Sequence, residues 1–332
     1  MTSYIIRRLI SMVLTVFVLA LMTFLLMKSA PGGPWDATAA DRKGLSETQQ
    51  RVLNRQFGLD KPEWRQFTSY VIGDVDSEGE FNCGAICGNL GPSFKRRGQM
   101  VQDILFAPRS PEGDFFDSRF SFTLRLALAA ITFGVLLGIP AGVISALKQN
   151  TWIDYVTAFI TTIGISVPGF VVAIFLIYVF AVSLHLIPVV PKWDQTASWI
   201  MPSAVMGFGT MASLARYTRT QMLDVMRQDY IRTARAKGLQ ERVVVLKHML
   251  RNSLIPVVTI LGPVVAGLLT GSFIIEQMFS FPGIGAEFVN SIFNRDYSMI
   301  MGTTLFIGVL VVFANFFVDL TYGFLDPRIR LD

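Results

Sequence analysis

Residues 126–147 read LALAAITFGVLLGIPAGVISAL, with no Asp, Glu, Lys or Arg. At about 1.5 Å per residue, a helix of this length crosses the roughly 30 Å hydrocarbon core of a bilayer. Five more uncharged runs of similar length flank it: Leu9–Met27, Tyr155–Leu184, Gln195–Ala215, Asn252–Ile275 and Tyr297–Val318. Inside a bilayer each backbone N–H and C=O must be satisfied internally, so long apolar runs read as helices. The expectation is an all-α polytopic membrane protein with six transmembrane helices. Composition agrees: the 332 residues are 52% hydrophobic and 16% charged, and mean hydropathy is +0.49. That balance excludes a disordered chain, a disulfide-stapled secreted scaffold, a collagen-like fibre and a simple soluble enzyme. The net charge of +5 points to basic loops at a membrane face rather than to nucleic acid.

The run Gln195–Ala215 is the most polar of the six, carrying Thr196, Ser198, Ser203, Gly207, Gly209, Thr210 and Ser213. Small residues there would let helices approach closely. The first run follows Arg7 and Arg8 as a signal peptide would. Yet it outlasts the usual apolar stretch of about 7–15 residues, and Lys28-Ser29-Ala30-Pro31 makes a poor cleavage site. It reads as a retained helix.

Orientation follows from Lys and Arg in the short loops. With the N-terminus inside, the inner segments hold Arg7, Arg8, Lys148, nine basic residues from Arg216 to Arg251, Arg328 and Arg330; the short outer loops hold only Lys192 and Arg295. Both termini are therefore expected in the cytoplasm. The chain divides into an N-terminal helix (1–28), an external insertion (29–121) and a five-helix core (122–332) that carries the cytoplasmic loop 216–251.

Residues 28–121 are nearly charge-balanced, with 12 basic and 13 acidic residues. Ser46 and Glu47 would open a helix ending at Phe57 and Gly58. Pro62 would start a second with Trp64, Phe67 and Val71 on one face. Gly73–Gly91 is rich in Gly and acidic residues and reads as a loop. The region is expected to form a small helical cap rather than a passive linker. Cys83 and Cys87 lie in that loop. Outside the cell they are a candidate local disulfide, with free thiols the alternative; a metal site would want more ligands than this pair.

The segment 216–251 carries nine basic and three acidic residues. Leu223, Met226, Tyr230 and Ala234 fall on one helical stripe within Gln221–Lys237, and Gly238 interrupts. Val243, Leu246 and Leu250 then continue towards the fifth run. The pattern is helix, Gly turn, helix, since Gly takes the left-handed conformation that ends a helix.

Set against known sequences, this stretch resembles the cytoplasmic loop of bacterial ABC importer permeases. The family pattern there is Glu-Ala-Ala, three residues, Gly, nine residues, Ile-x-Leu-Pro. The frame here is Arg232-Thr233-Ala234, Gly238, then His248-Met249-Leu250-Arg251, which keeps Ala234, Gly238 and Leu250. The string Tyr230-Ile231-Arg232-Thr233-Ala234-Arg235-Ala236-Lys237-Gly238-Leu239 is more specific and resembles the dipeptide, oligopeptide and nickel permease subfamily. Similar to that subfamily too are Tyr4-Ile5-Ile6-Arg7-Arg8-Leu9, Asn89-Leu90-Gly91-Pro92-Ser93 and Phe279-Ser280-Phe281-Pro282-Gly283-Ile284-Gly285. So are Val318-Asp319-Leu320 and Leu325-Asp326-Pro327-Arg328-Ile329-Arg330. Residues 73–88, with both cysteines, depart from it.

The resemblance implies a permease subunit of a bacterial inner-membrane importer, one half of a pore for dipeptides or oligopeptides. It implies a second homologous permease, two ATPase subunits and an external binding protein as partners, with membrane lipid around them and no nucleic acid. The chain has no Gly-x4-Gly-Lys-Ser/Thr phosphate loop, so ATP hydrolysis is expected on separate chains. The chain itself is expected to be no enzyme and to hold no cofactor or metal. Arg232, Thr233, Ala234, Arg235, Lys237, Gly238, Leu239 and Glu241 are the expected coupling contacts, with Arg242 as a further basic contact. A lipid anchor would explain their charge but not the Gly turn. Phe281, Pro282 and Gly283 are expected at the outer mouth, and Glu276 as a cap or a binding-protein contact.

Ionisable residues inside the runs are few. Arg125 is expected to snorkel outward. Asn315 and Asp319, one turn apart, are expected to pair with another helix or to line an inner gate. Pro140, Pro168, Pro202, Pro263, Gly267 and Gly271 would kink helices around a pathway or serve packing. Rival readings are an intramembrane enzyme using Ser272 and His185, which lacks any supporting motif, a scaffold, and a nickel permease, for which His185 and His248 give no metal pathway.

Overall fold

The computed structural model describes residues 2–35, 46–75, 79–188, 191–269 and 272–325. The C-terminal string from Asp326, with Arg328 and Arg330, and Gly271 lie outside them. The elements run α1 (Thr2–Ser29), α2 (Glu47–Gln56), α3 (Glu63–Val71), β1 (Gly73–Val75), β2 (Phe81–Cys83), α4 (Val101–Phe106), α5 (Arg119–Leu147), α6 (Trp152–Ser166) and α7 (Gly169–Leu176). They continue with α8 (Thr196–Met226), α9 (Asp229–Ala236), α10 (Glu241–Val243), α11 (Arg251–Leu269), α12 (Phe273–Met278), α13 (Ile284–Asn294) and α14 (Tyr297–Leu325). Wide π turns extend α7 over Ile177–Ser183 and join α10 to α11 over Val244–Leu250.

The chain is an all-α polytopic membrane protein with one small β ribbon. Among the described residues, four stretches are long and apolar enough to span a bilayer: Ile5–Ser29, Arg119–Leu147, Glu241–Leu269 and Tyr297–Asp319. A fifth is a broken pair, Trp152–Ser166 and Gly169–Ser183, bent by 110°. Pro168 makes the break. It lacks an N–H and holds Val167 in extended backbone (φ −88°, ψ 124°), the conformation that a following proline imposes. The run Gln195–Ala215 lies in α8, where Ser, Thr and Gly keep its apolarity below that of the other four.

The chain forms two compact units. One holds Leu124–Phe281 and the chain from Phe313 on, and α8 is its spine, with α6, α7 and α11 packed on it. Glycines set these contacts. On α5, Gly134, Gly138 and Gly142 recur every four residues and so share a face. A Cβ on Gly134 would lie 2.6 Å from Thr210 Cγ2, one on Gly138 2.6 Å from the Met211 carbonyl, and one on Gly142 would run into the Ala215 carbonyl. Gly207 on α8 returns the contact against the Ala130 carbonyl. Lipid gives helices little apolar reason to associate, and close backbone approach supplies it instead.

The other unit holds Thr2–Thr123 and Pro282–Val312. Ser46 caps α2 in a capping box with Gln49, and Gly58 follows at φ +64°. Pro62 precedes α3, where Phe67 is buried between Phe17 and Phe24 of α1. Trp64, expected on the same face, is 69% exposed; the face that packs is Phe67 with Tyr70 and Val71. The stretch read as a loop forms an antiparallel ribbon, pairing Gly73 with Cys83, Asp74 with Asn82 and Val75 with Phe81. Gly73 has φ +124°, and any Cβ there would run into the Asn82 carbonyl, so glycine lets the strands close. Cys83 and Cys87 form a disulfide across the turn after β2, with Cα atoms 5.9 Å apart.

Two buried carboxylates organise this unit. Asp296 precedes α14 and accepts from the Met299 N–H at 3.2 Å. It also accepts from the Ser93 hydroxyl and from the Phe94 and Lys95 N–H groups, which fixes the chain at Ser93–Lys95. Glu287 on α13 takes Arg96 at 2.6 Å and Arg119 at 3.2 Å. Trp35, Phe57, Phe94 and Tyr297 pack on one another, with Phe94 and Tyr297 beside the Asp296 hub in hydrogen bonding and in sequence.

Candidate functional site

The segment after α8 folds as an elbow. Arg227 ends α8, Gln228 is extended (ψ 146°), and α9 begins at Asp229. This break shifts the helical phase. Tyr230, expected in the buried stripe, is 42% exposed, and Ile231 is fully buried in its place. The Tyr230 hydroxyl accepts from Asn252 at 3.1 Å. Ile231 and Ala234 root α9 against Ala146, Met222, Val244 and Met249. Full burial of an Ile side chain contributes about 1.5–3 kcal/mol.

Gly238 ends α9 with φ +76°. The Leu239 N–H donates to the Ala234 carbonyl at 3.4 Å and the Gly238 N–H to the Arg235 carbonyl at 2.9 Å. These are the paired bonds of a Schellman turn. The chain then re-enters helix at Glu241. Arg232, Thr233, Arg235, Lys237, Gly238, Leu239 and Glu241 are exposed around the turn, while Ala234 is buried. The result is a projecting tip on an apolar root. Arg235 and Glu241 close across it, Nη2 to Oε1 at 2.6 Å and Nε to Oε2 at 3.1 Å. That bidentate bond pushes the Arg235 guanidinium up. Arg235 therefore braces the turn from within its own chain. Arg232 is 75% exposed and sits 3.6 Å from a still more open Asp229, a pair worth little in water.

The elbow root continues into a buried clasp. Ala146 of α5 touches the root, and its neighbour Ser145 donates to Asp154 at 2.5 Å. Asp154 also accepts the Asn150 N–H at 3.0 Å and both arms of Arg219, at 2.6 and 2.8 Å. The carboxylate is only 4% exposed, and its hydrogen bond pushes the Arg219 guanidinium up. One carboxylate thus ties the α5–α6 turn to the end of α8, on which the elbow stands. Sequence reasoning passed over Asp154 and counted Arg219 only as loop charge. The α5 glycine repeat, readable in the sequence, was the available signal for the packing beside it.

The remaining candidate residues lie elsewhere. Phe281 is 1% exposed, wedged edge-on against Trp193 at 4.6 Å and Trp199 at 5.1 Å. Arg125, expected to snorkel, lays its guanidinium over the Trp199 ring at 4.8 Å, within cation–π range. Pro282 leads to Gly283, which precedes α13, and the Ile284 N–H donates to Thr123 Oγ1 at 2.9 Å. Glu276 is fully buried in α12. On α14, Asn315 is exposed and Asp319 half-buried. No group of three or more metal-ligating side chains occurs among the described residues.

Residues 138–331 match the family described as binding-protein-dependent transport system inner membrane component, and residues 1–111 match its N-terminal region. The chain is 40% identical over 331 residues to the dipeptide transport system permease protein DppB of Bacillus subtilis strain 168, covering 100% of this chain and 99% of that one. It is 36% identical over 332 residues to the oligopeptide transport system permease protein OppB of Escherichia coli strain K12, covering 99% and 100%. A chain from the crystal structure of an amino acid ABC transporter with histidines shares the fold at a TM-score of 0.50 and 17% identity, over 61% of this chain and 90% of that one.

Proposed function

Because the chain belongs to the binding-protein-dependent transport system inner membrane component family, we propose that it is the permease subunit of an ABC importer of dipeptides or oligopeptides. Its full-length relatives are named for dipeptide and oligopeptide transport, which supports that substrate class. The chain is no ATPase: hydrolysis falls to two separate subunits, and a second homologous permease completes the pore. An external binding protein delivers the peptide.

In this reading the chain crosses the inner membrane six times with both ends in the cytoplasm. Fourteen Lys and Arg in the inner segments against two in the short outer loops support that orientation. The first 28 residues are a helix, 29–121 the external insertion and 122–332 the permease core. Cys83 and Cys87 close their ring in an oxidising compartment. Phe281, held by two Trp rings, fixes the Phe281-Pro282-Gly283 loop at the outer mouth. Asn315 and Asp319 pair α14 with a neighbouring helix near the inner end.

The observation that carries the mechanism is the Gly238 elbow. Its tip offers Arg232, Lys237 and Leu239 to a groove on an ATPase subunit, and its Ile231–Ala234 root transmits the push to α5 and α8. Closure of the ATPases becomes rigid-body rocking of the helices. In the assembled complex, Gly238→Val should leave peptide binding intact and separate ATP hydrolysis from uptake. Uptake per ATP equal to that of the wild type would refute it.

A further inference from the structure

A cavity of about 300 Å³ opens in the unit that contains the insertion, walled by α1, the α2–α3 turn, Tyr70, Phe94 and the start of α14. Most of its wall is apolar, with Phe24, Phe57, Phe94 and Met301 prominent. No Asp or Glu lines it, but two Lys do. The two differ. Lys61 is committed to Asp74 at 2.6 Å. Lys28 has no carboxylate within ion-pair distance among the described residues; its ammonium rests over the Phe24 ring at 5.7 Å, and Glu63 acts on it only from further off.

Tyr70 adds a second observation. It lines the same cavity, and its hydroxyl is buried without a hydrogen-bond partner. A buried polar group left unmatched is costly and uncommon in folded proteins. Burial pushes the phenol pKa upward, so the hydroxyl keeps its proton and remains a donor.

We propose that this cavity is a binding site for a small amphiphilic acid, an aromatic or aliphatic body ending in one carboxylate. The body fills the Phe24, Phe57 and Phe94 wall, and the carboxylate meets the Lys28 ammonium; the unmatched Tyr70 hydroxyl belongs to the same wall and becomes a second donor if a small side-chain shift uncovers it. Small-molecule sites are commonly apolar concavities of this size or larger, with a few convergent polar groups. The site is separate from the elbow, and the inference does not depend on what the pore carries.

The test uses the full chain in phosphatidylcholine nanodiscs and the probe N-acetyl-para-fluorophenylalanine, followed by fluorine line broadening. The acid should bind, and both its primary amide and the Lys28→Met variant should lower affinity about tenfold, as loss of a charge-assisted hydrogen bond does. Lys28→Arg should retain most of the affinity, which separates charge from a folding defect. Tyr70→Phe should weaken binding less than Lys28→Met. No binding of the acid, equal binding of acid and amide, or equal loss in the Met and Arg variants would overturn the site. Displacement of the acid by phosphatidylglycerol would assign it to lipid and overturn it as well.

Discussion

In the unit built on α8 the closest contacts are between backbones, whereas in the unit that holds the insertion they are between rings and carboxylates. Gly138 and Gly142 bring α5 onto the Met211 and Ala215 carbonyls of α8, and Gly134 brings it onto the Thr210 side chain. Asp296 and Glu287 gather amides, a hydroxyl and two guanidinium groups under Trp35 and Phe94. The two modes rest on different physics: van der Waals fit between closely approaching helices, against burial of rings and the pairing that buried charges require. The Asp154 clasp is the exception: a charged hub inside the glycine-packed unit.

That exception gives the largest expected effect. Asp154→Ala leaves Arg219 half-buried beside an empty seat and should cost about 3–5 kcal/mol, as removal of one partner from a buried pair does. Thermal unfolding of the purified chain in detergent reads it, and a loss near zero would place the clasp in water. The contrast between packing modes is sharpened by two alanines. Gly138→Ala drives a Cβ into the Met211 carbonyl, which cannot move without its helix, and should cost about 1–3 kcal/mol. Gly308→Ala meets the terminal Cδ2 methyl of Leu19, with nothing else but Leu19 Cγ at 3.7 Å, and should cost less than about 1 kcal/mol, since the end of a flexible side chain can yield. Equal losses in the same unfolding assay would erase the distinction.

The smallest effect concerns acid. The Lys61 ammonium holds the Asp74 carboxyl down, from its ordinary 3.8 to about 2. A depressed pKa means that the folded state binds fewer protons, so the stabilisation is complete above the unfolded value and fades as pH falls from 3.8 through about 2. The protection of the Gly73–Val75 amides, taken as exchange relative to the intrinsic rate at each pH, should therefore fall over that window and stay flat above it. Lys61→Met should shrink the step, leaving the part that Arg65 and the Val75 N–H supply.

Much of this was legible in the sequence, and the parts that were not share a cause. Uncharged runs mark spans because the bilayer penalises each charge, and Ser46 and Gly238 mark helix ends because capping and left-handed turns use few residue types. The elbow was therefore visible at Gly238. Its buried face was misassigned by one residue, Tyr230 for Ile231, because nothing in the periodicity announces the break at Gln228. The ribbon at Gly73–Cys83 was missed because its strands are three residues long, too short to show alternation. Asp154 and Arg219 stand 65 residues apart, and the Arg125, Trp199 and Phe281 stack spans three elements. Pairings of that kind arise only once the helices have packed.

Around Gly238 there is open space: a Cβ added there would meet nothing within 4 Å. Volume therefore plays no part in what position 238 tolerates. The constraint is handedness. Each encoded residue other than glycine is left-handed at Cα and is strained at φ +76°. A D-alanine placed there by chemical ligation would suit the turn better than any L-residue does, and would stiffen it. The elbow is tuned to the mirror image of the amino acids around it, and glycine, being achiral, is the one residue a ribosome can supply that satisfies both.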